Sequence, residues 1–325
     1  MMKNLVAMVA IVLLLTGGFA PADVDKKLSD YKTGSGVSGN IKSVGSDTMN
    51  NLMTFWAELF KKNYRSVGIE IEGKGSSTAP PALIAGSSTF GPMSRKMKSK
   101  EMDKFVDKFG YKCVQLRTSI DMLAVYVHKD NPIAKTGLTL QQVDAIFSKT
   151  RKGGYAKDIK TWGDVGLKGA WASRPITIYG RNSASGTYGY FKKHALFKGD
   201  YKDTVKEQPG SSAVVTSVSN DLGGIGYSGI GYKTADVAAV PLGVRPGEFI
   251  GAVPANAYSG RYPLARFLWL SVNYKPGSQL EPLRREFIKL IFSKQGQEIV
   301  AKDGYFPVPS SIANAELRKL GIQPG

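Results

Sequence analysis

Three short segments combine glycine with hydroxyl side chains, each where an extended run gives way to a helical one. They are Gly45-Ser46-Asp47-Thr48, Gly73-Lys74-Gly75-Ser76-Ser77-Thr78 and Gly180-Arg181-Asn182-Ser183-Ala184-Ser185-Gly186-Thr187. Glycine lets backbone approach a ligand closely. The first N–H groups of the following helix have no intrahelical partner and lie at the positive end of its dipole. Such a turn is suited to an oxyanion. One turn of this kind is ordinary helix capping by Ser or Thr. Three of them, one carrying Arg181 ahead of Ser185 and Thr187, point to tetrahedral anion binding. A guanidinium adds charge-assisted, two-point contacts to that chemistry.

Other chemistries fit less well. Gly224-Ile225-Gly226-Tyr227-Ser228-Gly229 has the dinucleotide spacing, but Ile230 to Asp236 has poor helical character, so a glycine-rich strand and turn is expected there. Gly73-Lys74-Gly75 lacks the order of a phosphate-binding P-loop. Neither Ser183 nor Ser185 stands in a nucleophile elbow. The chain has one cysteine, Cys113, and two histidines, His128 and His194. That rules out an intramolecular disulfide and a cysteine-based zinc site, and it leaves no His-paired nucleophile. No cofactor is implied.

The elements that would carry these turns alternate. Strands are expected at Ile41–Val44, Val67–Glu72, Lys112–Leu116, Met122–His128, Ile176–Tyr179 and Leu264–Val272. Helices are expected at Thr48–Lys62, with Leu52, Phe55, Trp56, Leu59 and Phe60 inward, and at Pro80–Ala85. More are expected at Ser99–Phe109, capped by Ser99, and after the capping box Thr139-Leu140-Gln141-Gln142. Gly186–Leu196, Ser211–Ser219 and Leu280–Phe292 complete the set, the last with Leu283, Phe287, Leu290 and Ile291 inward. Alternating strands and helices predict an α/β fold, and 325 residues predict two lobes.

Lys3, the apolar run Leu5–Leu15 and Ala20-Pro21-Ala22 read as a signal peptide over residues 1–22, cleaved after Ala22. The run is too short for a membrane span, which needs about 20 residues. The expected location is the periplasm or the exterior. The formal net charge is +18, which predicts an anionic partner. Aromatics at core spacing and an exported destination argue against nucleic acid.

The chain resembles the PstS-type family of periplasmic phosphate-binding proteins that serve ATP-binding-cassette phosphate transporters. Arg181 to Thr187 resembles the family's R-x-x-x-S-G-T loop, and Gly45-Ser46-Asp47-Thr48 its first turn. Gly75-Ser76-Ser77-Thr78, Met93-Ser94-Arg95, Ile120-Asp121, His128 to Pro132 and Ile225-Gly226-Tyr227 extend the resemblance over the mature chain. It implies a class II periplasmic binding protein: two α/β lobes joined by two crossover segments, closing on a dehydrated phosphate. The division it suggests is residues 23–120 with 258–325 for lobe I and 121–257 for lobe II. The crossings are expected near Leu116–Asp121 and Ala257–Leu264. The implied ligands are Ser46, Asp47, Thr48, Ser76, Ser94, Arg181, Ser185, Gly186 and Thr187.

Some members of the family carry an aspartate where this chain has Ser94. A carboxylate that accepts the proton of hydrogen phosphate would exclude fully ionised sulfate. Asp121 is the preferred residue for that role here, with Asp47 the other. If neither faces the ligand, sulfate or molybdate becomes the alternative cargo. The resemblance further implies a monomer that delivers to membrane permease subunits and performs no catalysis. An exported phosphate-ester hydrolase or a surface adhesion protein with the same pocket is the competing reading.

Overall fold

The computed structural model describes residues 23–324, so the expected signal peptide lies outside the described residues. Twelve strands are described: β1 (Asn40–Val44), β2 (Gly68–Glu72), β3 (Gly91–Met93), β4 (Val114–His128), β5 (Leu138–Thr139), β6 (Thr177–Arg181), β7 (Lys206–Gln208), β8 (Gly224–Gly229), β9 (Val237–Ala239), β10 (Leu242–Gly243), β11 (Ala265–Val272) and β12 (Phe306–Pro307). The helices are α1 (Asn50–Asn63), α2 (Ala79–Ile84), α3 (Ser99–Phe109), α4 (Ile133–Thr136), α5 (Leu140–Phe147), α6 (Gly186–His194), α7 (Ser211–Ser219), α8 (Pro254–Tyr258), α9 (Pro282–Ile291), α10 (Lys294–Lys302) and α11 (Ser310–Arg318). Single 3-10 turns at Asp47–Met49 and Ser76–Thr78 lead into α1 and α2.

The main sheet has eight strands, in the order β3-β11-β4-β8-β6-β7, with β9 and β12 also paired to β4. A parallel pair, β1 and β2, lies beside it. The fold is the expected α/β arrangement of two lobes. Residues 114–122 of β4 pair antiparallel with β11, whereas residues 123–127 pair with β8.

Local sequence predicts two strands where β4 runs unbroken. The polar types in Arg117-Thr118-Ser119-Ile120-Asp121 suggest a connection, yet Thr118, Ser119 and Asp121 are fully buried by pairing with β11 and β12. Long-range pairing outweighs local polarity here. Leu268 opposes Ser119 while Trp269 opposes Arg117, so Thr118 forms a bulge. A bulge of this kind bends the strand and increases its twist. The carbonyl of Thr118 is satisfied by Gln297 Nε2 at 3.2 Å.

Helix α9 buries Leu283, Phe287, Leu290 and Ile291 as expected. Helix α1 is turned slightly from its expected face, since Met53 and Ala57 join Leu52, Trp56 and Phe60 inside. Phe55 is half-buried beneath the Lys302 ammonium. The cap of α3 is Lys98, one residue earlier than Ser99, because Glu101 Oε2 accepts from the Lys98 amide at 2.8 Å. The glycine-rich segment Gly224–Gly229 is a buried strand followed by a single 3-10 turn. Among the described residues no helix is long and apolar enough to cross a membrane.

Candidate oxyanion site

The three glycine-hydroxyl turns meet. Thr48 comes from the 3-10 turn after β1, Ser76 from the turn after β2, Ser94 from the end of β3 and Thr187 from the first turn of α6. Thr48 Oγ1 and Thr187 Oγ1 are 2.8 Å apart, Thr187 Oγ1 and Ser94 Oγ 3.4 Å, and Ser94 Oγ and Ser76 Oγ 3.1 Å. The Ser94 amide donates to Ser76 Oγ at 3.0 Å. All four side chains are buried. A hydroxyl donates one proton and accepts at its lone pairs. The cluster therefore offers several rotatable donors inside a desolvated space, at the starts of three helical segments.

Backbone sets this convergence. Gly75 has φ of 116°, in the region that favours glycine, and its amide donates to the Gly45 carbonyl at 2.7 Å. The Ser77 amide donates to the Ala184 carbonyl at 3.1 Å, joining the second turn to the third. At Gly186 a Cβ would come within 2.3 Å of Ser76 Oγ and 2.6 Å of Ser94 Oγ. Only glycine lets α6 begin this close to the two serines.

The other expected residues lie around the cluster. Ser185 caps α6, accepting from the Thr187 and Tyr188 amides at 3.1 and 3.4 Å. Ser46 is buried, and its amide donates to the Pro92 carbonyl. Arg181 does not touch the four hydroxyls. Its Nη1 sits 3.1 Å from Asp47 Oδ2 and donates to Ser211 Oγ at 2.7 Å, and its Nη2 donates to the Pro209 carbonyl. Burial pulls the Arg181 pKa below its usual value, and the Asp47 charge opposes that. Asp47 Oδ2 also accepts from the Ser211 amide at 2.8 Å.

Asp121 is completely buried, but both its oxygens have partners within the protein. Oδ1 accepts from the Ile230 amide at 3.0 Å, and Oδ2 accepts from Arg266 Nε at 2.8 Å. It reaches the hydroxyl cluster through Arg266, whose Nη2 donates to Thr187 Oγ1 at 2.9 Å.

Arg266, Ser211, Tyr232 and Tyr305 stand outside the three glycine-hydroxyl turns. Tyr232 donates to the carbonyl of Asp47 and Tyr305 to that of Thr48, so both hold the first turn from behind. Arg266 belongs to no motif. The available signal is alternation along β11, where positions 266, 268 and 270 share the buried face. A groove of about 450 Å³ lies beside Ser185 and Ser77, lined by Arg95, Lys98, Lys192, Lys193 and Lys198. Among the described residues no group of acidic, histidine or cysteine side chains is placed to hold a metal.

Buried hydroxyls at three helical starts in an α/β fold of two lobes are chemically suited to an oxyanion, the class of site a substrate-binding protein carries. The comparisons give the class its family. A model described as a PBP superfamily domain matches residues 31–295. The phosphate-binding protein PstS of Pseudomonas aeruginosa is 53% identical over 323 residues, covering 99% of both chains. PstS of Staphylococcus epidermidis is 28% identical over 291 residues, covering 88% of this chain and 84% of that one. The chain also superposes on a solved Clostridium perfringens protein, a putative phosphate ABC transporter substrate-binding protein with bound phosphate. That match has a TM-score of 0.69 and 26% identity, and covers 83% of this chain and 99% of that one. The chain belongs to the PBP superfamily and, within it, to the PstS-type family of phosphate-binding proteins.

Proposed function

We propose that this chain is an extracytoplasmic substrate-binding protein. It captures inorganic phosphate between its lobes and delivers it to the permease of an ABC transporter, without catalysing a reaction. The observation that carries this reading is the convergence of Thr48, Ser76, Ser94 and Thr187, four buried hydroxyls from segments far apart in the chain. The proposed ligand set is these four with the backbone of Ser46, Ser185 and Gly186. The Arg181–Asp47 pair adjoins them, and Asp121 acts through Arg266.

The lobes are proposed as residues 23–120 with 258–325, and 121–257. The change of pairing partner along β4 after Met122 supports this division. Export through residues 1–22 with cleavage after Ala22, and action as a monomer against the permease subunits, complete the proposal.

Purified protein should bind one equivalent of radiolabelled phosphate, resist competition by excess sulfate, and release no product from a chromogenic phosphate ester. Turnover of the ester without retained phosphate would overturn the reading. Arg181→Ala should lose most of the binding, because it strips Asp47 of its buried cation.

A further inference from the structure

Arg266 lies on β11 directly across from Asp121 on β4. Its side chain is 2% exposed and that of Asp121 0%. A buried ion pair of this kind is costly to desolvate and is maintained only when its remaining polar atoms are satisfied. Here they are not all satisfied. Nε and Nη2 meet Asp121, and Nη2 also donates to Thr187 Oγ1. Nη1 is buried and has no hydrogen-bond partner. The guanidinium packs against the Tyr190 ring at 5.1 Å. In Arg181 both terminal nitrogens are engaged and the buried atom without a partner is Nε, which is not at the tip of the fork.

Donation from Arg266 into Thr187 Oγ1 has a chemical consequence. It occupies a lone pair of that oxygen, so the single Thr187 proton is left to point into the cluster. A hydroxyl polarised by a cation is also a stronger donor to an anion.

We propose that Arg266 is a second cationic binding residue of the oxyanion site. Its free Nη1 meets the anion, Nη2 sets Thr187 as a donor, and Asp121 serves as the counter-ion that fixes the guanidinium. On this account Asp121 does not receive the phosphate proton. The inference rests on the phosphate reading above and adds which charges discriminate among anions. Arg266 responds to the charge of the bound anion, so it favours the dianion of phosphate over the monoanion. The other titratable groups near it are Tyr190, His194, Tyr305 and Arg181.

The test is calorimetric titration with inorganic phosphate, below and above its second ionisation, on the full mature chain. Arg266→Met should weaken binding roughly 10- to 150-fold, the span expected for a hydrogen bond to a charged group. The loss should be larger above the ionisation, and Arg266→Lys should recover part of it. The double variant Asp121→Asn/Arg266→Met removes both charges together, so it decides the matter where the single variant does not fold. Asp121→Asn alone should weaken phosphate binding, because it releases the guanidinium from its counter-ion, but the preference for phosphate over sulfate should stay.

Binding by Arg266→Met or the double variant within threefold of the parent would overturn the inference. An equal loss on both sides of the ionisation would also overturn it, because a purely structural role predicts that result. Loss of sulfate discrimination in Asp121→Asn would restore the carboxylate as proton acceptor. Failure of the unaltered protein to bind phosphate would instead sink the functional reading itself.

Discussion

Replacing Gly186 with alanine adds one methyl group at the most crowded point of the site. The new Cβ would lie 2.3 Å from Ser76 Oγ and 2.6 Å from Ser94 Oγ. Favourable separations are about 3.5–4.0 Å, so each oxygen must retreat by about 1 Å. Both are fully buried, and they share hydrogen bonds at 3.0 and 3.1 Å that such a shift breaks. Overpacking of this kind costs about 1–3 kcal/mol, and where that cost falls on the serine arrangement that receives the anion it corresponds to a roughly 5- to 150-fold loss of affinity. The backbone supplies an opposite term. Gly186 is not among the glycines with positive φ, and it is the first residue of α6. Alanine fits that conformation and gains up to about 1 kcal/mol of helix propensity. Phosphate titration should therefore show a large loss while the melting temperature without phosphate moves only a few degrees. An alanine variant that binds phosphate within about threefold of the parent would refute the idea that Gly186 keeps the two serines in place.

Two buried groups outside the site give further expected outcomes. Asp303 packs near Gly231 and Tyr305 with Oδ2 unpartnered, and burial raises its pKa to about 7. A carboxyl raised in the folded state contributes stability that is complete below the unfolded pKa and is lost as pH rises through the folded one. Thermal melts should thus show stability falling between about pH 4 and about pH 7, and Asp303→Asn should flatten that slope and raise the melting temperature at pH 8. An unchanged slope in the variant would discount Asp303. Cys113 donates to the Val272 carbonyl at 3.4 Å, and burial pushes its thiol up to about 12. A disulfide reagent at neutral pH should leave the native protein unlabelled and modify one thiol after denaturation. Rapid labelling of the native state would place the thiol at the surface.

How far the fold can be read from the chain depends on whether burial follows local pattern. Helix α9 is legible because Leu283, Phe287, Leu290 and Ile291 recur at helical spacing and one partner surface buries them all. The stretch from Arg117 to Asp121 is not, because nothing local reveals that β11 and β12 will cover it. The site divides in the same way. Glycine and hydroxyl clusters mark the turns that bring Thr48, Ser76 and Thr187 together, since a helix start is a local event. Arg266 and Asp121 are 145 residues apart and meet only through strand pairing, which no short motif encodes. The capping residue Ser185 and the paired Arg181 are visible as types, but their partners Tyr188 and Ser211 are not.

Of the two crossings proposed between the lobes, the one in β4 is a sheet member throughout its length, whereas residues 259–264 belong to no strand. A flexible linker bends like a pin, at one or two residues. A strand that keeps its neighbours on both edges resists bending in the sheet plane and yields mainly by twisting, as a torsion bar does. The bulge at Thr118 places extra right-handed twist just before the changeover of partners. Gln297 holds the strand at the bulge itself, through the Thr118 carbonyl, and Arg266 holds it at Asp121, just before the changeover. On the lobe division proposed above, closure on a small anion would twist this ribbon as well as bend a linker.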